Sequence, residues 1–447
     1  MVIEKKTVKR DSSPKPTSEK EISLPEASKD FWLRLDNAAK IYPAIQSREL
    51  TTVFRLSAVL KDRVKIKPFL EAVQRLEERF PYYKMKPKKG FFWYYLQYYN
   101  EKMAVRPDLG LLCRSFEKNE LIFRILLKEN KVSVEFSHIL TDGKGAFEFL
   151  KSLLLTYFEV CCLIDTDALS YLKPEETPSA EEFEDAFSTH FQERLPFPLK
   201  IPTAFHLPFR LKPLPRFEVL SFSIPAKEII AIVRKYNVTL TVYLVGVYLS
   251  ALQTIYNQLS PAKKRRSRKV FRIQVPINLR KLYHSKTMRN FSLFVTPEID
   301  LRLGKYTFEE ILKTVHHLMQ LETDVKLINK IISRNVGAER NVLLKNTPLF
   351  IKSLILYFTY SIEGTRKYSG VITNLGKVSF SPQADRLIEY FQFIPPPPNK
   401  VLKVNCGVIG FEDKLILSFG NITTSHQLEQ EFVSILIGEG IPVKVIS

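Results

Sequence analysis

Residues 237–262 form a run of 26 positions without one charged side chain. A run of that length has to leave water, and few structures can take it. As a helix rising 1.5 Å per residue it is long enough to cross a bilayer. The alternative is a core large enough to enclose a helix on all sides. The run contains Asn237, Thr239, Thr241, Gln253, Asn257 and Gln258 besides several tyrosines, and basic residues flank both of its ends. Polar content of this kind, with no charge bias between the ends, favours the enclosed helix. Thr239 or Thr241 is its expected cap. The chain can supply the core: it has 447 residues, 45% hydrophobic and 12% aromatic. That length suits two or three domains, or one two-lobed unit.

The remaining pattern is a mixture of strands and helices. Residues 51–60 read as a strand. Ile66, Phe69, Leu70, Val73, Leu76 and Phe80 then recur at helical spacing until Pro81 stops them. Residues 91–99 are an aromatic run suited to a strand, and 121–127 with 131–138 make a hairpin. A helix follows from about residue 145 to 160. Residues 165–216 break the pattern: they hold eight of the 27 prolines, and 174–193 carry seven acidic side chains and no Lys or Arg. This segment reads as a long crossover. Beyond it the vocabulary repeats, with strands at 217–224, 270–275, 291–299, 369–380, 401–411 and 415–419. Helices fall at 226–236, 308–321 and 425–437. The interleaving lacks the regular alternation of a doubly wound sheet, so the expected class is α+β, with two lobes that are each a mixed sheet flanked by helices. The expected division is a flexible tail at 1–28, an N-terminal lobe at 29–164, the proline-rich acidic crossover at 165–216 and a C-terminal lobe at 217–447. The tail has charges from residue 4 and no apolar core, unlike a signal peptide.

The net charge is +20, and outside the balanced tail and the acidic segment it rises to about +26. Such a surface attracts nucleic acid, anionic lipid, nucleotide phosphates or an acidic protein. Residues 263–269 hold six basic side chains in seven and read as a solvated loop between a helix and a strand. No zinc-finger spacing, RNP-type signature or basic stripe interleaved with aromatics accompanies them, so nucleic acid is not expected. The four cysteines, Cys113, Cys161, Cys162 and Cys406, show no metal-ligand spacing, and no metal is expected. Adjacent Cys161 and Cys162 read as buried apolar residues in a reduced compartment.

The chemistry concentrates in Ser137-His138-Ile139-Leu140-Thr141-Asp142-Gly143, an HxxxDG pattern at a strand-to-helix turn. Alternation puts His138 on the face of Val132, Val134 and Phe136, at the end of a buried strand where a cavity can open. Asp142 can cap the following helix or take an Arg partner. Gly143 is expected to supply backbone freedom. A hydrogen-bonded core histidine beside a capping aspartate gives the same pattern without function; the flanking strand and helix raise the catalytic reading.

The segment resembles the catalytic motif of the chloramphenicol acetyltransferase-like superfamily. That group includes CoA-dependent acyltransferases, alcohol acetyltransferases, polyketide-associated acyltransferases and condensation domains of nonribosomal peptide synthetases. The likeness runs from about residue 32 to the C-terminus. Arg34-Leu35-Asp36 with 38–43, and Arg79-Phe80-Pro81 with 90–93, resemble alcohol acetyltransferase-like members. Pro276-Ile277-Asn278-Leu279-Arg280, Arg289-Asn290-Phe291 and Thr373-Asn374-Leu375-Gly376 match in the second lobe. The resemblance implies the two-lobed fold and His138 as general base toward an alcohol or amine that attacks an acyl thioester. The oxyanion donor is sought in the Gly143 N–H, Thr373 or Asn374. It further implies a structural Asp142–Arg pair, with Arg280 the first candidate partner and Arg79 the second. No permanently bound cofactor is implied; acetyl-CoA or another acyl thioester is the co-substrate.

Two departures narrow this. Condensation domains usually carry a second His before the motif, and Ser137 stands there. The DFGWG element of plant-type members is absent. The leading reading is a cytoplasmic CoA-dependent O- or N-acyltransferase with a small alcohol or amine acceptor. An acidic acyl carrier protein as donor suits the positive charge equally. A non-catalytic relative that binds lipid or nucleic acid is the reading from a different class, against which an intact HxxxDG counts. His316-His317 and Pro395 to Pro398 are read as structural, the prolines as a rigid spacer between strands.

Overall fold

In the computed structural model the uncharged run is a helix, Leu240–Asn257, and Thr239 is its cap, accepting from Val242 N at 3.3 Å. Buried side chains occur around its whole circumference. Helices Phe308–Glu322 and Gln427–Gly438 pack on it, and it lies on the larger sheet. Gly246 makes one of these contacts possible: a Cβ there would come within 2.4 Å of Leu312 Cδ2. Among the described residues no single helix is long and apolar enough to cross a membrane. The structure describes residues 31–446 apart from 48–49, 118–119 and 193–200. The expected tail at 1–28 lies outside them.

Two mixed sheets organise the chain. The first runs in the order Ile388–Ile394, Val53–Leu60, Lys131–Ser137, Phe123–Lys128, Val105–Pro107. Its central pair is antiparallel, with Phe54 opposite Phe136 and Val53 opposite Ser137. The helices Ile66–Leu76 and Gly143–Val160 cover one face, and their apolar sides form the first core. The expected hairpin turns at Lys128–Lys131, with Glu129 in the left-handed region. The second sheet runs Ser292–Val295, Val270–Asn278, Gly370–Val378, Val404–Phe411, Lys414–Asn421, Glu218–Pro225, Lys444–Val445. It is parallel where Gly370–Val378 meets its two neighbours and antiparallel elsewhere. A small sheet of Trp32–Arg34, Tyr94–Tyr98 and Met85–Lys89 lies beside the first.

One strand departs from the expected division at 217–447. Ile388–Ile394 pairs with Val53–Leu60 and so completes the first lobe's sheet from the second half of the chain. No strand was expected there, because its pairing partner is more than 300 residues away in sequence. Its outer neighbours carry a polar seam between the lobes. Gln392 Nε2 donates to Ser221 Oγ at 2.8 Å, and Ser221 reaches Ser418 at 3.1 Å. Lys131 Nζ donates to Gln392 Oε1 at 2.9 Å. Gln392, Ser221 and Ser418 are buried, so each bond unmade among them would leave a desolvated polar atom.

The acidic crossover does more than cover surface. Tyr171 and Phe183 join the first core, and Phe205 and Leu207 join the second. Glu182 receives both terminal nitrogens of Arg79 at 2.7 and 2.9 Å and the Tyr82 hydroxyl at 2.7 Å, all out of water. The basic run at 263–269 begins inside a short exposed helix, Pro261–Arg266, where a loop was expected. Proline in its first turn, then alanine and long basic side chains, are good helix formers. The expectation for Cys161 and Cys162 is corrected: Cys161 is half-buried and Cys162 exposed, since the pair lies just past the last buried turn of helix Gly143–Val160.

We predict that Glu182→Ala lowers stability by about 3–5 kcal/mol, because it strands the buried Arg79 guanidinium. Urea unfolding measures this, and a loss under about 1 kcal/mol would show that the crossover is not anchored there.

Candidate active site

His138 follows the last paired residue of strand Lys131–Ser137, and its N–H still donates to Thr52 O at 2.9 Å. The strand's Val132, Val134 and Phe136 are fully buried on the same face. The imidazole packs against two rings. Tyr42 stacks on it at 5.5 Å and 24°, and Phe54 lies at 4.6 Å and 39°. Its Nδ1 lies 3.4 Å from Asn290 Oδ1. Asn290 Nδ2 donates to His138 O at 2.9 Å and to Asp36 Oδ2 at 3.0 Å, which fixes the direction of the amide. The Asn290 oxygen therefore faces Nδ1 as an acceptor, which favours the tautomer that carries its proton on Nδ1. Burial pushes the His138 pKa below the ordinary imidazole value, although Asp142, Asn290 and the Thr141 backbone oppose the shift. The ring is neutral at pH 7. Asp36 is raised to about 6, by burial first, with Arg289 opposing.

Asp142 holds the other end of the motif. Arg280 donates from Nη1 to Oδ2 at 2.8 Å and from Nη2 to Oδ1 at 2.9 Å. Phe291 N donates to Oδ2 at 2.9 Å. Asp142 is also the cap of helix Gly143–Val160, accepting from Lys144 N at 3.2 Å and Gly145 N at 3.1 Å. The two expected roles, cap and ion-pair partner, are held by one carboxylate. Burial would raise its pKa, but Arg280 and the backbone donors outweigh burial and hold it below the ordinary carboxylate range. Arg280 in turn donates from Nε to Thr287 O at 2.7 Å and from Nη2 to Arg289 O. Arg79, the second candidate partner, belongs to Glu182 instead.

Gly143 begins the helix and has no positive φ, so the expected need for backbone freedom is corrected. Its small size serves space: a Cβ would come within 2.9 Å of Leu375 Cδ2, beside Phe393. Gly145 is the tighter position, where a Cβ would meet Thr141 Oγ1 at 2.2 Å and Met288 O at 2.3 Å. The close passage of helix and second-lobe loop there was not foreseen.

His138, Asp142, Gly143, Arg280, Thr373 and Asn374 all line one cavity of about 430 Å³ between the lobes. Thr373 and Asn374 come from strand Gly370–Val378. Asn374 Nδ2 donates to Thr241 Oγ1 at 3.0 Å, and its Oδ1 accepts from Gly376 N at 2.8 Å. Gly376, at φ +81°, lies where the pairing with Val404–Phe411 slips. The register of this strand end shifts there, where Leu375 lies against Gly143 of the helix. Pro395 to Pro398 are wall rather than spacer: all four line the cavity. A second cavity of about 1050 Å³ adjoins it, sharing Thr51, Tyr360, Pro397, Pro398 and Asn399. Asp36, Tyr42 and Asn290 stand in the segments that resemble the superfamily and Phe54 in the expected strand, but the sequence assigned none of them a role at the site. The available signal was weak, a polar Asn290 immediately before the apolar Phe291 and an Asp36 immediately after the apolar Leu35.

No family model matches the chain, and no curated protein matches it. Solved structures do. Polyketide synthase associated protein 5 from Mycobacterium tuberculosis superposes with a TM-score of 0.60 at 12% identity, covering 90% of this chain and 96% of that one. TRI101 of Fusarium sporotrichioides, complexed with coenzyme A and T-2, gives 0.59 at 10% identity over 93% and 100%. The epimerization domain from the third module of tyrocidine synthetase B gives 0.56 at 11% identity over 92% and 96%. At these identities the likeness establishes the fold.

We expect Asp142→Ala to cost about 3–5 kcal/mol, since it leaves Arg280 buried without its partner. Arg280→Ala should cost a similar amount, and the double variant less than the sum. The Asp142 contribution is complete above about pH 4 and disappears as the pH falls further through its depressed native value. Urea titrations at several pH values test this; strictly additive losses would dissolve the pair as a unit.

Proposed function

We propose that this chain, which has the two-lobed chloramphenicol acetyltransferase-like fold, is an acyltransferase that moves an acetyl or other acyl group from a thioester of coenzyme A to an alcohol or amine. The observation that carries the reading is the state of His138. Its ring packs against Tyr42 and Phe54, Nδ1 is turned to Asn290, and burial keeps it neutral in the wall of a cavity.

In this reading His138 Nε2 takes the proton of the acceptor hydroxyl or amine as that atom bonds to the thioester carbonyl carbon. The carbonyl oxygen becomes an oxyanion. The Gly143 N–H belongs to a helix's first turn and has no partner within the helix, so it can donate there. Thr373 is the better of the two side-chain candidates, because Asn374 already holds Thr241 and Gly376. Collapse of the intermediate breaks the carbon–sulfur bond, and the imidazolium returns the proton to the leaving thiolate. Asp142 and Arg280 act as positioning residues, fixing the turn that carries His138. Arg114, Arg216 and Lys400 line the adjoining cavity, and Arg216 Nε is buried there without a partner among the described residues. These cations suit the phosphates of coenzyme A.

His138→Ala should cut kcat/KM by about 10²–10⁴ with unchanged thermal unfolding, measured as thiol release from acetyl-CoA with a panel of alcohols and amines. Full activity in that variant excludes His138 as the base. Transfer from an acyl carrier protein, with no thiol release from any acyl-CoA, would replace the donor. In the wild type the rate should hold down through about pH 6.5 and fall only below it, because the native His138 pKa lies under the ordinary value. Asn290→Ala removes a contact that raises that pKa, so its acid limb should move to lower pH while kcat drops. An unmoved limb would count against Asn290 as the orienting group.

A further inference from the structure

The helix Leu349–Thr359 and the turn after it are amphipathic the wrong way round for a protein facing water. Phe350, Ile351, Leu354, Ile355, Phe358 and Ile362 are each between 41% and 69% exposed. The helix's one charged side chain, Lys352, is turned inward and buried. Its Nζ lies 3.7 Å from the centre of the Trp93 ring and donates to Phe92 O at 3.0 Å. Leu349 N donates to Phe91 O at 2.9 Å, which joins the exposed rings of Phe91 and Phe92 to the same face. A soluble helix puts its apolar stripe on the protein and its charges outside. Contiguous exposed apolar surface of this kind marks an interaction site.

We infer that this face docks on the surface of an anionic bilayer. The surroundings supply the charge complementarity. Exposed Lys345 and Arg366 bracket the helix, and exposed Lys89 precedes Phe91. Between Lys345 and Arg366 the sequence has one acidic residue, Glu363, and the chain as a whole carries +20. Basic side chains at the rim of an apolar stripe attract anionic headgroups and hold the stripe at the acyl boundary. An 11-residue helix is about 16 Å long, too short to span, so it lies in the plane of the interface. A second copy of the chain fits this face less well, since it would bring the same cations and the same net charge against each other. Thr359 and Tyr360, at the end of the helix, line the cavity that contains His138. Docking therefore sets that cavity beside the lipid surface. The inference does not depend on the acyl-transfer reading.

The test is sedimentation of the full chain with vesicles of phosphatidylcholine, with and without about 30% phosphatidylserine. Wild type should partition at least about tenfold more strongly onto the phosphatidylserine vesicles, and lose that preference on going from about 0.1 M to about 1 M salt. The exposed triple variant Phe350→Ser/Leu354→Ser/Phe358→Ser should lose at least about tenfold in partitioning with unchanged thermal unfolding. His138→Ala should bind vesicles as wild type does, which separates this result from any failure of acyl transfer. Equal binding to both vesicle types, or undiminished binding by the triple variant, overturns the inference. So does a concentration-dependent dimer in sedimentation velocity that the triple variant abolishes, because the face then serves a second copy.

Discussion

The buried pair of Asp142 and Arg280 is the constraint on which the rest of the site depends. One carboxylate accepts from a guanidinium on the second lobe, from the backbone of Phe291 and from the first turn of helix Gly143–Val160. An isolated charge at that depth would be expensive, so the site exists only while the lobes stay in contact. Arg280 extends the link by holding the carbonyls of Thr287 and Arg289. The loop so fixed carries Asn290, which is what orients His138. Position of the imidazole is thus set by the ion pair through the backbone, with no direct contact between the two.

The imidazole and the nearby carboxylates show how burial sorts similar groups into different states. Asp142 and Asp36 are both buried aspartates at the same site, Asp142 four residues along the chain from His138 and Asp36 linked to it through Asn290. Asp142 has a bidentate guanidinium and three backbone donors, which hold its pKa below the ordinary carboxylate range. Asp36 has one amide, one backbone N–H and an arginine at 3.6 Å, and burial dominates. His138 lies against the rings of Tyr42 and Phe54 and has a neutral amide at Nδ1, so its charged form is the disfavoured one. The number of donors reaching each group, rather than its depth, separates the three.

What the sequence made legible follows from range. The uncharged helix, its Thr239 cap, the hairpin and the helix after Gly143 rest on local periodicity and capping, and these appear where the pattern put them. The motif residues could be read because a strand end, a cap and a turn are adjacent in the chain. Asn290 and Asp36 could not be read in this way: their roles come from contacts spanning 152 and 254 residues. Strand Ile388–Ile394 was missed for the same reason. The helix Leu349–Thr359 was missed for a different one. Its apolar residues are not gathered on one inward stripe, because the outward face is apolar too. Gly143 was assigned to the wrong cause, since sequence cannot distinguish a glycine needed for φ from one needed for space.

The exchanged strand explains how a cavity can persist between two lobes. Apolar surfaces pressed together would tend to close the gap, as a core fills to native density. Here the seam beside Ile388–Ile394 is held by directed bonds among Lys131, Gln392, Ser221 and Ser418. Directed bonds fix spacing as well as affinity, since they weaken steeply off geometry. Pro395 to Pro398 continue directly from that strand into the cavity wall. Prolines fix φ and lack an N–H, so this wall neither collapses onto the ring nor adds donors that would need partners. Register at Gln392 therefore determines where the wall stands relative to His138, and the width of the cavity is set by a strand that belongs in sequence to one lobe and in space to the other.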